Sequence, residues 1–151
     1  LWPRRGDWMM RLEEQLLADD RPALLVAHSL GCHLVAAWAA HSRHTARVAG
    51  ALLVAPPDLE RADMPPQVQT WAPLLRQPLP FAATAVFATD DPYCGADRAA
   101  QLAAQWGAVP VPLPGAGHVN ADSGLGDWPA GLALLQALAQ RAGVALPATG
   151  A

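Results

Sequence analysis

Ala23-Leu24-Leu25-Val26-Ala27-His28-Ser29-Leu30-Gly31-Cys32 decides the reading of this chain. An apolar run from Ala23 to Ala27 stops just before a serine, and a helix-like stretch from Leu34 to Ala40 starts soon after it. This is the layout of a nucleophile elbow, in which a buried strand turns sharply into a helix and leaves its serine at a strained, exposed tip. Small residues are expected two places to either side, where strand and helix backbones crowd together. Here they are Ala27 and Gly31.

A chain rich in alanine and glycine meets such a pentad by chance, so the context has to decide. Thr89-Asp90-Asp91-Pro92 follows the apolar run Ala85 to Ala88, and Gly115-Ala116-Gly117-His118 follows the run Val109 to Leu113. Serine, aspartate and histidine therefore come in that order, each at the end of an expected strand. Open α/β sheets gather their reacting groups in loops at the carboxyl ends of strands. In this reading Ser29 is the nucleophile and His118, presented by a turn with Gly115 and Gly117, is the base that takes its proton. The alternative for His118 is a loop histidine bonded to backbone.

Two adjacent carboxylates compete to orient His118. Asp91 is chosen because it precedes Pro92, which biases it to extended backbone. Asp90 then caps the helix beginning near Ala96 or is solvated. The N–H of Leu30, at a helix amino end just after the nucleophile, is the expected oxyanion donor. His28 is a candidate substrate-binding residue, with a structural hydrogen bond as the competing role. Asn120 and Ser123 are expected to fix the His118 loop.

Outward from the site, the chain has 151 residues, 52% hydrophobic and 15% charged, which suits one domain with a full core. A net charge of -3 and scattered arginines without a basic stripe argue against nucleic acid as ligand. No run of about 20 apolar residues is free of charge or proline, so no membrane span is expected. All ten basic residues are arginine, which with abundant Ala, Pro and Gly reads as the bias of a GC-rich bacterial genome. Cys32 and Cys94 are too few for a disulfide framework and imply a reduced, cytoplasmic setting. His41 and His44 share a helical face without an acid or cysteine at a useful interval, so neither metal nor cofactor is expected.

The periodicities predict a helix over 7–18, a strand at 23–27 of the kind buried on both faces, and a helix over 30–41. They continue with strands at 48–55, 81–89 and 109–113 and helices over 96–106 and 128–142. Residues 56–80 hold seven of the fifteen prolines and read as a loop covering the site, with a short helix near Val68 to Leu75. The tail from Leu146 is expected to fray. Alternating strands and helices predict a single-domain, mostly parallel α/β sheet with helices on both faces.

Several segments together resemble the small serine hydrolases related to retinoblastoma-binding protein 9, the YdeN-like family of the α/β-hydrolase superfamily. They are Val26 to Cys32, Asp90-Asp91-Pro92-Tyr93-Cys94, Trp106-Gly107-Ala108, Gly117 to Ala121, Ser123 to Gly126 and Trp128-Pro129. The resemblance covers roughly residues 7 to 140. It implies a compact α/β-hydrolase fold with little or no cap and no metal. Together with the residues above, the expected activity is metal-independent cleavage of a small ester, thioester or amide through an acyl-enzyme, with short-chain carboxylesterase-like cleavage favoured and peptide cleavage the variant. Such proteins usually begin with a strand and a Pro-Gly loop that helps bind the oxyanion. Nothing ahead of the 7–18 helix matches that segment, so a catalytically weak or inactive binding module is the rival expectation. The vertebrate member's Leu-x-Cys-x-Glu partner motif is not met, because Leu30-Gly31-Cys32-His33-Leu34 lacks the glutamate.

Overall fold

A computed structural model describes residues 4–71, 74–120 and 128–146. Its elements are α1 (Arg5–Leu17), β1 (Ala23–His28), α2 (Leu30–His41), β2 (Val48–Val54), α3 (Pro66–Gln69), β3 (Ala82–Ala88), α4 (Ala96–Trp106), β4 (Val109–Leu113) and α5 (Pro129–Ala142). A 3-10 turn over Thr45–Arg47 leads into β2. The four strands form one parallel sheet in the order β1-β2-β3-β4, each strand pairing with the next along the chain.

Side chains alternate across this sheet because successive residues of a strand point to opposite faces. Ala51 and Leu53 of β2 and Ala83, Ala85 and Phe87 of β3 pack on α2 and α4, in a core that includes Cys32, Val35, Leu102 and Trp106. On the other face Leu52, Val54, Val86 and Ala88 meet Leu138 of α5. Leu16 of α1 packs on Trp38 of α2 and Val48. At Gly50 a Cβ would lie 3.1 Å from the Ala82 carbonyl and 3.3 Å from Leu138, so glycine there lets α5 approach the sheet closely.

Three expectations are corrected. β1 is not buried on both faces, because Val26, on one of them, is 61% exposed. The strand expected over 48–55 stops at Val54 because Ala55 turns to φ 54° and sends its N–H to the Val86 carbonyl at 2.7 Å. The short helix lies earlier than expected, at Pro66–Gln69, where proline at the first helical turn supplies a preset φ and needs no donor. Residues 72–73, within the span once assigned to that helix, lie outside the described residues, as do Ser123 and the tail from 147.

β4 reads Val109-Pro110-Val111-Pro112-Leu113 and sits at the far edge of the sheet. N–H directions alternate along a strand, so the two prolines remove donors from one side only, and pairing with β3 puts that side outward. The edge is thereby blunted against further pairing.

Candidate active site

Every carboxyl end of the sheet contributes to one cluster. Ser29 follows β1, Pro56 and Pro57 follow β2, Asp90 and Asp91 follow β3, and His118 stands in the loop after β4. Ser29 has φ 57° and ψ -123°, a conformation that side chains rarely adopt, and it is held there by its N–H bond to the Val54 carbonyl at 2.9 Å. Backbone strain of this kind at an elbow lifts the hydroxyl clear of both flanking elements. The Cβ that alanine would add at Gly31 would meet the Ala27 Cβ at 3.5 Å, an ordinary contact. The crowding expected at this pair therefore excludes large side chains rather than requiring glycine.

Ser29, His118 and Asp91 are joined by hydrogen bonds. The Ser29 hydroxyl donates to His118 Nε2 at 2.8 Å, and His118 Nδ1–H donates to Asp91 at 2.9 Å to Oδ2 and 3.1 Å to Oδ1. Asp91 is buried and takes a further bond from the Tyr93 N–H at 2.9 Å, so the carboxylate is fixed before it meets the imidazole. A carboxylate on Nδ1 sets the tautomer that leaves Nε2 free to accept a proton.

The neighbouring Asp90 faces elsewhere. Its Oδ1 accepts the Gly117 N–H at 2.9 Å, so it ties the His118 loop to the β3 end instead of capping α4. His28 is exposed, and its Nε2–H donates to the His118 carbonyl at 2.9 Å, with the two rings 5.0 Å apart. This is the structural hydrogen bond weighed against substrate contact, and His28 is not among the residues lining the cavity beside Ser29. The loop is thus held from two sides, by a carboxylate and an imidazole. Val119, next to His118, takes φ 52°, unusual for a β-branched residue.

Leu30 and Gly31 open α2, where the first N–H groups have no acceptor within the helix. Beside them lies a cavity of about 280 Å³ lined by Ser29, Leu30, Pro57, Leu59, Met64, Pro65, Val68, Tyr93, His118 and Asn120. Residues 57–68 thus form one wall of the site, as expected for the proline-rich segment. A larger cavity of about 630 Å³ lies near the start of β1, lined by Leu16, Asp19, Arg21 and Val144 among others, away from all of these groups.

Tyr93 is a residue of the site to which sequence alone assigned no role. Its ring meets His118 edge-on with centroids 4.5 Å apart. Its place two residues after Asp91 was the available signal. His33 was missed as well: it is buried, donates Nε2–H to the Pro57 carbonyl at 2.7 Å and packs against Trp106. Burial pushes its pKa down to about 4, against the opposing pull of the Pro57 bond. Neither cysteine is an activated thiol. Burial raises both, Cys94 to about 12, and a protonated thiol is a weak nucleophile.

His41 closes its own helix by donating Nδ1–H to the Ala37 carbonyl. Among the described residues, no helix is long and apolar enough to cross a membrane.

A family model described as serine hydrolase matches residues 1–137. No curated protein matches the sequence. Among solved structures, a YdeN-like hydrolase from Pectobacterium atrosepticum superposes with a TM-score of 0.80 at 24% identity, covering 93% of this chain and 72% of that one. The ydeN gene product of Bacillus subtilis gives 0.73 at 23% identity, covering 93% and 77%. A hydrolase of the α/β superfamily from Xanthomonas campestris gives 0.62 at 20%, covering 89% and 70%. At these identities the likeness establishes the fold, which is that of the α/β-hydrolases.

Proposed function

We propose that this chain, which belongs to the serine hydrolase family, cleaves a small ester, thioester or amide by passing its acyl group through Ser29. The observation that carries this reading is the continuous chain of bonds from the Ser29 hydroxyl through His118 to Asp91. As Ser29 Oγ attacks the acyl carbon, His118 Nε2 takes the hydroxyl proton, and Asp91 stabilises the imidazolium across Nδ1. The Leu30 N–H, at the amino end of α2, donates to the oxygen that becomes negative. Collapse of the tetrahedral species passes the proton from His118 to the leaving oxygen, sulfur or nitrogen. Water, deprotonated by the same imidazole, then releases the acid from Ser29.

Esters are the favoured substrates, because an alkoxide leaves with less protonic help than an amine. The partner in this reading is a small acyl compound and the compartment is the cytoplasm.

Labelling with a fluorophosphonate tests the proposal. The expected result is a single adduct mapped to Ser29 and absent from Ser29→Ala. A folded protein that takes no label and turns over no ester would overturn it in favour of a hydrolase fold used for binding.

A further inference from the structure

Resting on Ser29 as the acylated residue, we infer that the cavity beside it is a preformed pocket for a neutral aliphatic acyl chain, closed at depth by Leu59 and Met64. At roughly 30 Å³ for each heavy atom, the share a water takes in the liquid, this space holds on the order of nine heavy atoms, or an acyl group of about six to eight carbons.

Three observations lead there. First, apart from Ser29, Tyr93, His118 and Asn120, the lining is aliphatic or proline, and among the described residues it contains no carboxylate or guanidinium. A charged acyl tail would lose its water without a partner, whereas a neutral one gains from every buried methylene. Second, burial orders the lining. Leu59 is 2% exposed and Met64 7%, while Pro65 and Tyr93 are exposed, so the mouth lies at Pro65 and Tyr93 and the floor at Leu59 and Met64.

Third, the wall is anchored. Buried His33 holds the Pro57 carbonyl, the Asp58 N–H bonds the Tyr93 carbonyl at 2.9 Å, and Arg61 Nη1 bonds the Pro92 carbonyl at 2.7 Å. Arg98 of α4 pairs with both Asp58 and Glu60. These ties fasten the wall to α2, to α4 and to the loop that carries Asp91. The pocket therefore has its shape before the acyl group arrives, and chain length is read against a fixed floor. Met64, buried at that floor on the anchored wall, sets the limit.

The test measures kcat/KM of the full chain on 4-nitrophenyl esters of straight-chain acids from two to twelve carbons, with the hemisuccinate as the charged control. The expected profile climbs about fourfold per methylene to six to eight carbons and then falls. Hemisuccinate should lie at least about tenfold below butanoate, since its carboxylate finds no cationic partner among the described lining residues. Met64→Ala moves the optimum to longer chains and Met64→Phe to shorter ones.

If Met64→Ala does not fold, inhibition of the unaltered protein by alkylboronic acids of rising length must show the same cut-off. A flat profile, or an optimum that Met64 variants do not move, with Ser29 still labelled by a small fluorophosphonate, overturns the pocket and leaves the hydrolase standing. Loss of both labelling and turnover overturns the hydrolase reading, and the pocket with it.

Discussion

Asp90 and Asp91 are adjacent, yet one orients a ring and the other holds a loop. Asp91→Asn offers His118 an amide where it needs an acceptor, so the imidazole loses its tautomeric control and kcat should fall about 10⁴-fold with little change in KM. Asp90→Asn keeps an oxygen for the Gly117 N–H and should retain most activity. Steady-state hydrolysis of one ester by both variants checks the pair, and comparable losses would refute the division of labour. Gly31 makes a second residue-scale case. It lies in α2, and the Cβ of alanine would find only ordinary contact with Ala27. Gly31→Ala should fold with unchanged or raised thermal stability, since alanine is favoured over glycine inside a helix by about 1 kcal/mol.

At the scale of elements, α5 depends on one close approach. Trp128 stands at φ 47° before the helix, and a Cβ added to Gly131 would lie 2.2 Å from its ring. Gly131→Ala must displace the indole, and thermal melting should report a loss of about 1–3 kcal/mol. No periodicity announces such a contact, because Gly131 reads as one weak position in a good helix. What was legible followed from period and punctuation: α2, α4 and β4 fall where apolar spacing and flanking glycines or prolines put them. Exposure was less legible. The run Ala23–Ala27 reads as buried because it lacks polar residues, but whether each face is covered is decided by the elements that pack on it. In the site, the placing of Ser29, Asp91 and His118 after successive strands was readable from their order in the chain. The bonds of Asp90, His28 and His33 go to backbone groups distant in sequence, and no local pattern encodes those partners.

For the molecule as a whole, His33 links acidity to stability. Its ring stays neutral in the fold down to about pH 4, whereas an unfolded histidine protonates near 6.5. Between those values the unfolded chain binds a proton that the native one does not, so stability declines as pH falls through the window. The full effect is on the order of 3 kcal/mol. Urea unfolding at pH 7.5, 5.5 and 4 should show this decline in the wild-type protein and a shallower one in His33→Gln; parallel curves would assign the acid sensitivity to other groups. The strand order has a different consequence, for biosynthesis. Among the described residues, β1 to β4 lie side by side in the sheet in the order in which they are synthesised. Ser29 comes early in this order, Asp91 later and His118 last. On the proposed mechanism, a nascent chain carries Ser29 without the imidazole that would activate it, and competence arrives only when translation has passed the loop after β4.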